Sequence, residues 1–439
     1  MTATDTGHHT RLVAPGRCAD AVADFWDEAP ELAHIRDAAH SRVMAPAAVL
    51  GAVLAYRLAE VPPNIQLPPI VGDPQSLNLF CALYGAAGDG KSATETIGRE
   101  LLGTSGVRWC PVVASGEKLA GLFARPDKES ASGITFIRRS AVLFYDEVTA
   151  LAGMAGRSGS TLLSWLLSAW SGRPLGAATQ DRERSHPIPG HSYRLCLLVG
   201  VQGRNAHLII DHEGSGLPQR FLWLPTVDPV LGEKPDDDDI DGYPAIEPIP
   251  GLVDIPRPEL ADDPLRLDSR RYVEVCATAR REIRSLRRAK HRGDVTGSDA
   301  HRALLREKVA AGLSLLRPGV DMPVVDEAAW TLAGRVLTVL HDRTLADAAS
   351  EKSRQERARI QLLGRLDDVR AAAAARSATE RIGKRISTRI PPEGWTRSDI
   401  NRFLGRDRIH RDAAIDWAEA TSRLRREGEG DRGTRWFAC

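Results

Sequence analysis

The stretch from Leu77 to Leu102, LNLFCALYGAAGDGKSATETIGRELL, decides how the rest of the chain is read. Its first eight residues are an apolar run of the length and composition of a buried strand. The next eight, Gly85-Ala86-Ala87-Gly88-Asp89-Gly90-Lys91-Ser92, satisfy G-x-x-x-x-G-K-[ST], the loop that cradles phosphates. Glycines are needed there because the chain must wrap closely around an anion with its amides turned inward. Ser92-Ala93-Thr94 then opens a helical segment. The flanks therefore match the strand–loop–helix context that the motif requires. Lys91 is placed to reach the β- and γ-phosphates of ATP and the Ser92 hydroxyl to ligate Mg²⁺, with residues 85–93 around the phosphates.

A second apolar run, AVLFY (141–145), ends in Asp146-Glu147, 55 residues after Lys91. Carboxylates at the C-terminal end of such a strand sit where open α/β sheets bind ligands. Asp146 is the candidate metal ligand, and Glu147 the residue that orients an attacking water. RLCLLVGV (194–201) reads as a third buried strand, and the Gln202 that follows it is a candidate sensor of the γ-phosphate or an ordinary strand-end amide. FLWL (221–224) is a fourth and WCPVV (109–113) a weaker fifth. Arg220, just ahead of FLWL, is the first candidate for an arginine supplied to a neighbour's site, with Arg204 second and a structural salt bridge the rival for both. Trp165 and Trp170, on one helical segment, read as core packing rather than a base-stacking platform. The polar segment 175–193, with Arg182, Arg184 and His186, reads as a DNA-facing pore loop or as a solvated one.

Outward from this core, the chain of 439 residues has room for two to four domains. Lys and Arg number 59 against 58 Asp and Glu, but 36 basic and 25 acidic residues lie from Asp268 onward, leaving the front at −10 and the back at +11. A basic back half suits a polyanion partner. The longest apolar run, Val43 to Tyr56, is too short to span a bilayer and contains a proline, and the N-terminus lacks a signal-peptide core. Six scattered cysteines without a C-x-x-C pair argue against a disulfide scaffold or a cysteine zinc site. A cytoplasmic protein without a membrane partner is the expectation.

The expected organisation is a disordered lead-in at 1–16, a helical region at 17–66 and the ATPase domain at 67–230. An acidic, proline-rich linker at 231–268, a helical region at 269–388 and a small unit at 389–439 follow. In the linker, Asp237, Asp239, Asp241 and Gly242 imitate a calcium loop, but its twelfth position is Pro248, with Glu247 one place early, so a solvated linker is the better reading. Leu305, Val309, Leu313 and Leu316 recur at helical spacing and should face a core. In the tail, Thr396 and Asp399 fit an N-cap pair. Leu404, Ile409, Ala413, Ile415, Trp417, Ala418 and Leu424 are its candidate core.

LPPIVGDPQSLNLFCALYGAAGDGKS, AVLFYDEVTAL, HSYRLCLLVGVQ and GLPQRFLWLP together resemble a family of replication ATPases of phages, plasmids and integrative elements, the helicase part of primase–helicase proteins in high-GC bacteria. The resemblance covers roughly residues 20–345. It implies an α/β P-loop NTPase core, RecA-like or AAA+/superfamily-3-like, that assembles as a ring (a homo-oligomer, in the manner of a hexamer) and works on single-stranded DNA. It carries Lys91, Ser92, Asp146, Glu147, Gln202 and Arg220 over into the roles argued above. Too few residues precede the core for a primase–polymerase domain, which implies a separate primase as partner. The tail resembles a winged helix that would engage origin duplex DNA through Arg402, Arg406, Arg408 and Arg411, with EGEGDRGTRWF as the wing. The competing functional readings are a regulatory or defence-type ATPase switch and an ATP-dependent origin-binding initiator.

Overall fold

The computed structural model describes residues 24–103, 109–110, 113, 115–130, 133–155, 161–176, 187–233, 245–256, 270–294, 297–428, 430 and 433–439. The calcium-loop look-alike at 237–242 and the arginines at 182 and 184 lie outside these residues, as does the lead-in at 1–16. The described chain divides into two compact units, one ending at Lys352 and one beginning at Ser353.

The first unit is built on a wholly parallel five-stranded sheet. Its strands are β1 (Phe80–Tyr84), β2 (Trp109–Cys110), β3 (Ser140–Tyr145), β4 (Arg194–Val201) and β5 (Phe221–Pro225). Their order across the sheet is β2-β3-β4-β1-β5. Each of the five runs expected as strands contains one, Trp109–Cys110 being the part of the fifth described as strand. Every residue of β4 is buried, as a strand covered on both faces requires. Because all five strands run the same way, the ends of β1, β3 and β4 meet along one edge, and the connection after β1 opens there.

Helices α1 (Pro30–Ser41) and α2 (Pro46–Glu60) both begin with proline at the first helical position, where its missing N–H costs nothing. In α2 all but Glu60 are buried, so the apolar run at 43–56 belongs to a core helix, apolar on every side. It packs on β1, β3, β4 and β5, on α3 (Lys91–Leu101) and on α4 (Gly297–Ser314). No single described helix is long and apolar enough to cross a membrane, and the α1–α2 pair, which together reach that composition, is bent by 120°. Leu305, Val309, Leu313 and Leu316 all face the core, as their spacing predicts.

Two differences stand out. The helical segments on either side of the sheet share one continuous core with it, from Phe25 to Ala348, rather than forming separate bodies. And residues 245–256 of the expected solvated linker lie against that core: Ile249 and Ile255 are buried, and Arg57 donates to the Val253 carbonyl at 2.7 Å. Ile249 and Ile255, spaced among prolines without periodicity, give no helical or strand signal but are buried in an irregular strap.

The long helix α5 (Asp342–Arg389) begins in the first unit and continues into the second. There, α6 (Arg397–Leu404) and α7 (Arg411–Ala420) are followed by strands that pair antiparallel in the order β6-β8-β7, β6 being Trp395–Thr396, β7 Leu424–Glu427 and β8 Arg435–Ala438. Thr396 and Asp399 form a complete capping box. The small core holds Leu404, Ile415, Ala418 and Leu424 as expected, with Trp417 packed at its border. Ile409 is instead 80% exposed, and Ala414 rather than Ala413 points inward. A 3₁₀ segment, Gly405–His410, precedes α7 and shifts its phase by about one residue. Ile382 and Ile386, from the end of α5, complete this core.

Candidate functional site

β1 delivers the chain into the glycine-rich loop, and α3 begins at Lys91 immediately after it. Gly88 and Gly90 have φ of 91° and 69°, the left-handed region that other residues occupy only under strain. Asp89 turns back into the loop, where its Oδ2 accepts from the Ala86 amide at 2.6 Å and from Thr226 Oγ1 at 2.8 Å. Thr226 follows β5 and donates its own amide to the Tyr84 carbonyl at 2.9 Å. The loop is thus fastened to the neighbouring strand end as well as to itself. Ala86, Ala87 and Gly88 are exposed, and so are Ser92 and Ala93 beyond the loop.

Lys91 is 7% exposed and donates through Nζ to the Ala86 carbonyl at 2.5 Å, spanning the loop it would share with phosphate oxygens. Ser92 Oγ donates to Asp146 Oδ1 at 2.8 Å. Residues 54 positions apart in sequence therefore meet at one point, a hydroxyl beside a carboxylate. Such a pair fits Mg²⁺, which takes few protein oxygens and fills the rest of its octahedron with phosphate and water. Glu147 stands beside it, and Asn205 Nδ2 donates to Glu147 Oε1 at 3.1 Å. Gln202 follows β4, the strand between β1 and β3, so it emerges between the loop and the two acids.

Gly200 makes this convergence possible. A Cβ there would stand 2.0 Å from the Asp146 carbonyl oxygen and 2.8 Å from Lys91 Cδ. Only a residue without a side chain lets the two approach β4. Gly200, Thr226 and Asn205 carry no signal in the sequence beyond lying at strand tips.

Arg220 is at the other end of the sheet. It precedes Phe221, which pairs with Phe80 at the start of β1, whereas the loop follows Tyr84 at its finish. That offset is about 13 Å of strand. Its Nη1 donates to the Gly216 and Ser215 carbonyls at 2.7 and 3.0 Å, and its guanidinium lies 5.5 Å from the Trp170 ring. Burial lowers its pKa. Within one chain it therefore serves packing, not the loop. Arg204 is exposed in the turn after Gln202. Trp170 is 1% exposed, as core packing requires.

In the second unit Arg402, Arg406 and Arg408 are exposed. Arg411 is held inside instead: it grips both oxygens of Asp412 at 2.8 and 2.7 Å and donates to Asn401 Oδ1 at 2.8 Å. The Arg411 hydrogen bond, with that of Arg397, draws the Asp412 carboxyl down to about 2.

A scan against protein-family models matches none, and no curated protein is significantly similar to the chain.

Proposed function

We propose that the chain is a Mg²⁺-dependent ATPase with a P-loop core, acting as a helicase or translocase on single-stranded DNA during replication of a mobile element. The observation that carries this reading is the 2.8 Å contact between Ser92 Oγ and Asp146 Oδ1, at the edge where the G-x-x-x-x-G-K-S loop leaves the sheet. Ser92 and Asp146 would hold the magnesium, which supplies charge neutralisation on the phosphates when bound. Lys91 would exchange the Ala86 carbonyl for phosphate oxygens. Glu147 would orient the water, with Asn205 fixing the carboxylate's direction and Gln202 facing the γ-phosphate.

A ring belongs to this reading: Arg220, at the opposite end of the sheet from the loop, would stabilise transition-state charge only in another copy's site, after giving up its contacts to the Ser215 and Gly216 carbonyls. The C-terminal unit, read as a winged helix, would engage origin duplex through Arg402, Arg406 and Arg408, with Arg411 as the clamp between α6 and α7.

ATP turnover by the purified chain, alone and with single-stranded DNA, tests this, with Lys91→Ala as the blank. Turnover accelerated by DNA and abolished in the variant is expected. Turnover indifferent to DNA would replace the motor by a regulatory or defence-type switch. No Lys91-dependent turnover would remove the enzymatic reading.

A further inference from the structure

α1 ends in an unusual way. The Met44 amide donates to the Ala39 carbonyl at 2.9 Å and the Val43 amide to the His40 carbonyl at 3.0 Å, the double bond of a Schellman cap. The residue at its centre takes the left-handed conformation and is ordinarily glycine. Here it is Val43, at φ 54°. For a β-branched residue that is a true outlier. Nor does the side chain contribute to the core, being 73% exposed.

The turn is pinned against the phosphate loop and against the elements beside it. Met44 packs on Gly90, where a Cβ would stand 2.6 Å from Met44 Cε and 3.9 Å from Ala93 Cβ. His40 Nε2 meets Asp228 Oδ2 at 2.7 Å, two residues past the Thr226 that fastens Asp89. Arg42 reaches Glu100 on α3 at 3.7 Å. Ala93 and Glu100 lie on one stripe of α3, seven residues apart. The isopropyl group of Val43 is thus an exposed apolar surface on a turn whose next residue packs on the last glycine of the loop.

We propose that the Arg42–Val43–Met44 turn is the base-facing wall of the nucleotide site, with Val43 packing on the face of the adenine ring. This rests on the phosphate-loop reading and extends it: the loop and its lysine recognise triphosphate, and the turn distinguishes a nucleoside triphosphate from triphosphate alone. A strained, solvent-facing valine in place of glycine weakens folding and gains no core packing in return, a gain that a ligand packed on it would supply.

The experiment measures binding of MgATP and of magnesium tripolyphosphate to the full chain and to Val43→Gly and Val43→Asn, both compatible with the left-handed conformation. Val43→Gly is expected to raise or leave unchanged the melting temperature. Both variants should weaken ATP binding by about tenfold, the scale of burying one aliphatic side chain, and leave tripolyphosphate binding unchanged. Unchanged ATP binding in both variants, or equal weakening of both ligands, overturns the proposal while sparing the phosphate loop. A wild-type chain that binds neither ligand overturns the phosphate-loop reading and this wall with it.

Discussion

Arg194 and Arg411 are anchored arginines, one from each unit, and they are anchored differently. Arg194 is fully buried and donates to the carbonyls of Val61, Pro62 and Ile65 at 3.1, 2.9 and 2.8 Å and to Ser76 Oγ at 2.7 Å. Its burial depresses the guanidinium pKa to about 10. No carboxylate is among these acceptors; three carbonyls of a proline-rich connection are gathered by one side chain from the sheet. Arg411 is 18% exposed and relies on a carboxylate at the surface. The α/β unit also buries Lys308 and Glu307, while among the described residues of the second unit Thr434 is the only buried polar one. A large core can enclose charge and so fix backbone far from any helix or strand; a core of nine buried side chains cannot, and holds its charges at the rim.

The sharpest way to break this contrast is to remove both arginines in turn. Arg194→Met should cost about 3–5 kcal/mol in urea unfolding, because it strands buried carbonyls. Arg411→Met should cost about 1 kcal/mol, as a partly exposed pair does. Equal losses would mean that the two anchors work in the same way.

A second test uses protons. The Trp223 amide, on the outer strand β5, donates to His341 Nδ1 at 3.0 Å. Burial holds this imidazole at about 4, and the half-buried His191 is also held at about 4. Below about pH 6.5 the unfolded chain binds protons that the folded chain refuses until about pH 4, so stability falls as the pH drops through that window. For His341 the effect is of order 3 kcal/mol. His341→Asn, whose amide oxygen can accept the same bond, should flatten the loss measured between about pH 7 and about pH 4.5. An unchanged slope would assign the acid sensitivity to other groups.

The smallest effect belongs to the exposed arginines. Replacing Arg402, Arg406 and Arg408 by alanine should leave unfolding within about 0.5 kcal/mol. Duplex binding should weaken, with the slope of log affinity against log salt falling by about one for each phosphate no longer neutralised. Unaltered salt dependence would turn the reading of this unit toward protein docking.

Much of the architecture was legible because it rests on local pattern. Apolar runs of strand length, a glycine loop, an acid pair at a strand end and a capping box are all written within a few residues, and they located all five strands of the sheet and the Thr396–Asp399 cap. The Ile409 and Ala413 misreading arose because periodicity assumes about 3.6 residues per turn, and the 3₁₀ segment ahead of α7 uses about three.

What could be read from the chain alone was the glycine-rich loop, the strands and the candidate acids, since each is a short-range property of the chain. Tertiary structure alone decided that Ser92 meets Asp146, that Gly200 gives them room, that Asn205 and Thr226 join the site and that Arg220 lies at the opposite edge. Those are consequences of strand order and register, which bring together residues from four strand ends; spacing along the chain does not encode which edge of a sheet a residue reaches.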